Sequence, residues 1–531
     1  MQAVTDGPEP ARAGPAQLTR SAAHPGHADR GELALLLHTH MPYVEGFGTW
    51  PFGEEWLWEA MAVSYLPLLE LLERDPPVTL SLTPVLGDQL AAAGVAERFL
   101  RFMREVRRES HRIDIEGCRA GGEHELAVEL ERAALDYELA IDRFQAIDGD
   151  LLGALAPHVQ WTSSATHSVL PLLATDAGAH LQIQTGIAAH RARIGEWRGG
   201  FWLPECAHAA WLDPLLSEAG VRTSCVDYTD LWGMGALAHL QPLCTESGVL
   251  LAPLDRQTIE LVWSHHGYPC HGTYRDYHHH TVHHHQPWGN DGRPYDHEAA
   301  LELVREHAAD FVERTIARLD DARARTGRPG LVVCALDTEL LGHWWYEGTA
   351  WLAAVLEEAS TRGLAVARLD DALERHDPAP APADPPVTTW GSPRDLTTWD
   401  GPAVADLAWR ARAAELRVVA ERQGGGAERD GARAERDGAR AERELLALQS
   451  SDWAFMVTRE LAGPYPLERS DGHARALESA LRNGRGPERA RGERDGGSPA
   501  PSGADPPSVG SRAPGIRNLA AHATPAPLLA P

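Results

Sequence analysis

Lysine is absent from this chain of 531 residues, so the Lys+Arg total of 49 is arginine alone. Against 76 acidic residues this leaves a net charge of −27. Such a balance argues against nucleic acid or an anionic membrane as partner, because phosphates would be repelled; a neutral substrate fits. The missing lysine itself reads as compositional bias rather than function. Cysteine is scarce, with six residues (Cys118, Cys206, Cys225, Cys244, Cys270, Cys334) and no CxxC pair. That excludes the zinc-ribbon and thioredoxin-like patterns, and a disulfide framework is not expected in a chain this large. No apolar stretch reaches the ~18 residues of a membrane span. The opening MQAVTDGPEPARAGPAQ lacks the apolar core of a secretory signal. The expectation is a cytoplasmic protein without membrane or nucleic-acid partners, monomeric or a small homo-oligomer.

What is present is ordinary globular composition, 43% hydrophobic and 24% charged, in a chain long enough for two or three domains. Residues 1–30, rich in Ala, Pro, Gly and Arg, read as a disordered tail. Beyond them, short apolar runs at 32–38, Val78–Leu82, His180–Gln184 and Leu331–Leu336 read as fully buried strands. Amphipathic patterns between them predict helices at Trp56–Glu73, Glu123–Ala146 and His297–Asp320. Buried strands alternating with helices imply a parallel sheet covered on both faces, with chemistry at the C-terminal ends of its strands. This barrel-like unit is expected over 31–376. HDPAPAPADPPVT marks a linker at 377–388, a helical domain follows over 389–485, and 486–531 reads as a second disordered tail. Within the helical domain, AERDGAR occurs at 427–433 and again at 434–440, inside a charged insertion at 424–444. With Ala as its only apolar residue, this repeat offers no coiled-coil seam and predicts a solvated helical extension or a flexible insertion.

Three segments carry chemistry, and each follows a candidate strand. WLPECAH (202–208) places Glu205 in an apolar wall, where desolvation raises a carboxyl pKa; a buried Glu that merely caps a loop would look the same. ALDTELLGHWWYEG (335–348) gathers Asp337, Glu339, Glu347, His343, Trp344, Trp345 and Tyr346. Aromatic faces stack on sugar rings while acids and imidazoles bond hydroxyls. In HTHMPY (38–43), alternation puts His38 and His40 on one face of a strand. They can bond sugar hydroxyls, ligate a metal, or satisfy each other in a core. A fourth feature, the run Tyr277–His285 with six histidines, reads as a metal binder or as a loop beside a substrate groove, with Gln286, Pro287 and Trp288 as saccharide contacts. The 17 tryptophans mean little singly, but Trp50, Trp56, Trp58, Trp161, Trp202, Trp344 and Trp345 lie near these motifs.

Together the motifs resemble glycoside hydrolase family 57, and within it the 1,4-α-glucan branching enzymes, over residues 31–485. HTHMPYV (38–44), LTPVLGDQL (82–90), GFWLPECA (200–207), ALDTELLGHWWYEG (335–348) and LLALQSSDWAFM (445–456), the last preceded by TTWGSPRDLTTW (388–399), occur in the family's order. The resemblance implies an α/β fold, an incomplete (β/α)7 TIM-like barrel followed by an α-helical domain, and a retaining double displacement without cofactor or metal. Glu205 would be the nucleophile and Asp337 the acid/base, about 5–5.5 Å apart as retention requires. An α-glucan would be bound by His38, His40, Trp50, His167, Trp202, His343, Trp344 and Glu347, with Trp390, Trp399 and Trp453 from the helical domain shaping the donor cleft. There are two departures. The stretch 235–248 has no Tyr where branching members carry one on a mobile loop, Leu240 standing in its place, and His208 stands where an aromatic residue is expected. Hydrolysis of α-1,4-glucan or 4-α-glucanotransfer are the neighbouring expectations. A metal-dependent barrel hydrolase or deacetylase built on His38, His40, a later His and Asp337, and a catalytically silent glucan-binding protein, are those of other classes.

Overall fold

The computed structural model describes residues 30–48, 52–424, 432–484, 516, 519–523 and 526–529. Trp50, the first copy of the repeat but for its last two residues, and most of both predicted tails lie outside them. Strand β1 (Gly31–Thr39) is flanked by β2 (Thr79–Leu82) and β8 (Gly330–Asp337), both parallel to it. Leu33–Leu37 and Leu331–Leu336 are buried without alternation, the pattern of strands covered by helices on one side and a filled barrel on the other. From β2 the sheet continues through β3 (Val159–Ser163) to β4 (Phe201–Trp202). A bridge between Gly200 and Thr223 leads on to β5 (Thr223–Val226), which pairs in parallel with β7 (Leu250–Pro253). The ring closes through one hydrogen bond, the Asp255 N–H to the Val333 carbonyl at 2.9 Å. Seven parallel strands thus enclose the core, with the weakest seam between β7 and β8.

Three short strands lie outside this ring. β6 (Leu243–Cys244) runs antiparallel to β7, β9 (Ala365–Ala367) pairs with the first half of β1, and β10 (Ala379–Pro380) pairs with β6. The Pro-rich segment after residue 376 is therefore tied along the barrel, and a bridge from Thr388 to His208 extends the contact.

One predicted strand is a helix. His180–Gln184 lies within the helix Asp176–Arg193, capped by the Thr175 side chain, which accepts from the Gly178 N–H at 3.0 Å. Its apolar residues do not form one stripe, because the helix is sandwiched. Leu181 packs into the cluster with Leu446 and Leu477 of the helical domain, and Ile183 into another with Phe201 and Leu216. Burial on two sides mimics the alternation of a strand. The other predicted helices are present, at Glu54–Ala60 and Leu66–Leu72 joined by the π-helical turn Met61–Tyr65, at His124–Ala146, and at His297–Thr326.

The C-terminal unit packs Ala405–Gly424, Ala432–Leu448, Ser451–Thr458 and Tyr465–Gly484 together. The second repeat copy is helical, continuing without a break into the buried Leu445, Leu446 and Leu448. No helix among the described residues is long and apolar enough to cross a membrane.

Candidate active site

At the C-terminal end of β1 the period of two delivers His38 and His40 to one face. Pairing sets their neighbours: His38 lies opposite Ser81 on β2 and opposite Asp337 on β8. His38 Nδ1 meets Ser81 Oγ at 3.3 Å, and its Nε2 meets His167 Nε2 at 3.0 Å, one ring donating and the other accepting. His40 Nδ1 meets Thr83 Oγ1 at 3.2 Å, and its Nε2 meets Asp452 Oδ1 at 2.8 Å. His167 Nδ1 meets Ser451 Oγ at 2.9 Å. The His40 and His167 rings stack 4.0 Å apart, and His38 stacks on Trp202 at 4.6 Å. Burial, reinforced by the His40 charge, holds His38 and His167 well below the usual imidazole range. Burial would also lower His40, but the charges of Asp452, Glu339 and Glu205 raise it above its ordinary value. Of the three imidazoles, His40 is thus the one whose surroundings favour a charge.

Glu205 follows β4 on a tight turn and has a left-handed backbone, φ +60°, as do Cys206 at +51° and His167 at +56°. Non-glycine residues rarely adopt this region, at a cost on the order of 1–3 kcal/mol each, and do so chiefly where surroundings impose it. Here the imposing bonds are Cys206 N–H to the Leu203 carbonyl (2.8 Å) and Ala207 N–H to the Pro204 carbonyl (3.0 Å). The C-terminal unit adds two more: Trp390 N–H to the Glu205 carbonyl (2.9 Å) and Ser451 N–H to the His167 carbonyl (3.2 Å). The Trp390 indole N–H also donates to Glu205 Oε2 at 3.3 Å, while His167 Nδ1 lies 3.7 Å from Oε1. Arg256, bonded to Asp227, donates to the Trp390 carbonyl and fixes that segment. Burial pushes the Glu205 carboxyl up to about 7, with His40 pulling the other way.

Asp337 ends β8. Burial raises it well above the usual carboxylate range, and the charges of Glu339 and Glu205 raise it further. Glu339, on the next turn, accepts from the Tyr65 hydroxyl at 2.6 Å and from the His40 N–H at 3.2 Å. It is itself pushed up to about 7 by burial. The site therefore places two carboxyl groups with raised pKa together, the setting in which one can ionise while the other holds its proton, as acid–nucleophile chemistry needs.

Of the other residues singled out from sequence, Trp202 is fully buried and crosses Trp390 edge-on at 4.8 Å, its indole N–H without a protein partner. Trp399 and Trp453 line a cleft between barrel and helical domain with Ser451; the Trp453 indole donates to the Ala447 carbonyl at 2.8 Å. Trp344 is 46% exposed and stacks on Tyr277 at 4.5 Å beside His343. Glu347 accepts from the Arg275 N–H at 3.2 Å and lies among Tyr295 and Tyr274, neither of which is a neighbour of Glu205 or Asp337 in the hydrogen-bond network described above. In the His-rich run, His283 and His285 are tied to Asp114, and His279 stacks on Trp288 at 3.8 Å. Sequence reasoning missed Tyr65, Ser81, Thr83, Ser451 and Asp452, and the exposed Trp263 beside Trp390. Ser451 and Asp452 adjoin Trp453 in a segment already quoted, so that motif was their available signal.

Among the described residues, one group of three has metal-ligand spacing: His40, His167 and Asp452, with donor atoms within 4.8 Å of one another. All four ring nitrogens already have hydrogen-bond partners, so that network accounts for the cluster, and Asp337 is not part of it.

Residues 161–381 match the model of glycosyl hydrolase family 57, and 413–490 the model of the 1,4-alpha-glucan branching enzyme C-terminal region. The chain is 33% identical to a probable 1,4-alpha-glucan branching enzyme of Mycobacterium tuberculosis, over 86% of this chain and 93% of that one. The chain belongs to glycosyl hydrolase family 57. It is also 32% identical to a 1,4-alpha-glucan branching enzyme of Thermococcus kodakarensis, over 84% of this chain and 72% of the relative. The crystal structure of a branching enzyme of this family from Pyrococcus horikoshii superposes with a TM-score of 0.79 at 31% identity, over 85% of this chain and 90% of that one. An alpha-amylase of Thermotoga maritima superposes at 0.74 with 25% identity, over 87% and 95%.

Against this family background the stretch 235–248 has a defined structure. Arg318 donates to the Gly235 carbonyl at 2.8 Å and the Ala236 carbonyl at 2.9 Å, and Leu240 is only 3% exposed. The segment is anchored to the barrel wall. Tyr228 and Tyr268, the tyrosines flanking this stretch in the sequence, are committed elsewhere: Tyr228 to His208 at 3.2 Å and Tyr268 to Asp310 at 2.7 Å. His208 is buried between Tyr228 and Asp213 and so supports the turn from beneath.

Proposed function

We propose that this chain is a retaining α-glucan enzyme that cleaves an α-1,4 bond and transfers the freed chain to a 6-hydroxyl, that is, a 1,4-α-glucan branching enzyme. The observation that carries the reading is Glu205, held in a strained turn by both domains, with the proton-retaining Asp337 alongside. In this reading Glu205 attacks the anomeric carbon. Asp337 gives its proton to the departing oxygen, then takes one from the incoming hydroxyl, and no metal or cofactor takes part. His38, His40, His167, Trp390 and Trp344 contact the α-glucan. The C-terminal unit supplies the Trp390 indole and the Ser451 hydroxyl, and it excludes water so that a sugar rather than water meets the glycosyl-enzyme. The likeness to branching enzymes of Mycobacterium tuberculosis and Thermococcus kodakarensis and the match at 413–490 support branching. Six free thiols favour a reducing compartment, and the cytoplasm is the location proposed.

A second reading, α-1,4 hydrolysis, is favoured by the anchored, Tyr-free stretch at 235–248 and by the likeness to an alpha-amylase. Incubation with amylose decides between them. New α-1,6 linkages counted by proton NMR support branching; reducing ends without such linkages favour hydrolysis. In either case Glu205→Gln brings activity to the assay floor, and undiminished activity of that variant removes the double-displacement reading.

A further inference from the structure

Tyr65 is buried on the π-helical turn Met61–Tyr65, a local widening of an α-helix that recurs at functional sites. Its hydroxyl is aimed across the barrel mouth at Glu339 rather than at substrate. The contact is built from both sides. The Ser64 hydroxyl donates to the Thr338 carbonyl at 2.9 Å, and Thr39 Oγ1 meets Thr338 Oγ1 at 2.7 Å. Three consecutive residues at the end of β8, Asp337, Thr338 and Glu339, are thereby held against the π turn and the end of β1. Glu339 thus receives two donors on Oε1, the Tyr65 hydroxyl and the His40 N–H, while its charge acts on the neighbouring Asp337.

We propose that Glu339, fixed by Tyr65, is a positioning residue for Asp337, its carboxylate keeping the acid/base proton on Asp337 until the glycosidic oxygen takes it. Two carboxyl groups in one dry pocket cannot both ionise cheaply, and the one given donors ionises first. Tyr65 and the His40 N–H give that role to Glu339. The charged groups facing Asp337 are Glu339 on its own turn and Glu205 on the turn after β4; His40 on β1 and, behind it, Asp452 of the helical domain face the two glutamates. In the first step the Asp337 O–H bond breaks as its proton passes to the departing glycosidic oxygen, the C1–O bond breaks, and a Glu205 oxygen bonds C1. In the second, Asp337 takes the proton of the acceptor hydroxyl, whose oxygen bonds C1 as Glu205 leaves. Glu339 keeps its own charge state through both steps.

The inference rests on the assignment of Asp337 as acid/base, and the test separates the two. The pH dependence of kcat/KM on amylose is measured for the full chain, Glu339→Gln and Tyr65→Phe. A maltooligoside bearing 2,4-dinitrophenolate, a leaving group that needs no proton, is measured beside it. Gln keeps an oxygen for both donors, so the fold is retained. The expected result is a descending alkaline limb moved to lower pH by about one unit in Glu339→Gln and by less in Tyr65→Phe. On the alkaline side this amounts to roughly a tenfold loss on amylose, with a much smaller loss on the aryl substrate. An unmoved limb with equal losses on both substrates overturns the role of Glu339. Activity on amylose that survives Asp337→Asn overturns the underlying assignment instead.

Discussion

Glu205 and His40 share one buried pocket, and burial acts on them in opposite senses: it favours the neutral carboxyl and the neutral imidazole. What keeps the pair productive is mutual charge. Asp452 favours a charge on His40, and that charge in turn favours the ionised form of Glu205. kcat/KM on amylose is therefore expected to rise with pH through about 7 as Glu205 ionises. Replacing the cation, in His40→Gln, removes an influence that lowers the Glu205 pKa. The ascending limb must then move to higher pH, and a limb that stays put or moves down contradicts the coupling. At this scale the sequence was informative about identity and blind to partnership. WLPECAH and ALDTELLGHWWYEG expose their acids to inspection, whereas nothing local announces that Asp452 lies against His40, 412 residues away in the chain.

Among the elements, the turn after β8 depends on a glycine. Gly342 has φ +101°, and a Cβ there would lie 1.9 Å from the Val63 carbonyl oxygen of the π-helical turn. This close approach is what brings Tyr65 to Glu339. Gly342→Ala is expected to cost roughly 1–3 kcal/mol of stability, read as a lowered melting temperature, and to depress kcat as the two turns separate. A variant of unchanged stability and activity excludes the close packing. The helix Asp176–Arg193 shows why element type was not wholly legible. Buried on two sides, it lacks the apolar stripe by which a helix is read, and its short apolar run is shared by strands. Strands β1 and β8 were readable because burial on both faces leaves an uninterrupted apolar run that few other elements show.

For the whole molecule, the C-terminal unit is part of the candidate site: the Trp390 and Ser451 backbones clamp the two strained loops, and Asp452 bonds the histidine cluster. A second long-range contact ties down a piece of the predicted tail. The Ala520 N–H donates to the buried Asp88 at 2.6 Å, Arg443 donates to the Leu519 carbonyl at 2.6 Å, and Leu519 and Leu528 are buried beside Leu181 and Leu446. Deleting 516–531 removes two buried leucines worth about 1.5–3 kcal/mol each. It is expected to lower the melting temperature by roughly 3–10 °C with kcat unchanged at lower temperature. An unaltered melting curve dismisses the docking.

The sequence by itself determined the parallel α/β barrel, because buried strands are written in consecutive residues, and it made Glu205 and Asp337, the acids of the proposed function, visible beside strand ends. Only the tertiary structure decided which groups control those acids. Tyr65, His40 and the Ser451–Asp452 pair come from three separate elements, and their effect comes from through-space charge and hydrogen bonds in one pocket. The same holds for the helix read as a strand and for the docked tail, whose burial is set by surfaces remote in the chain.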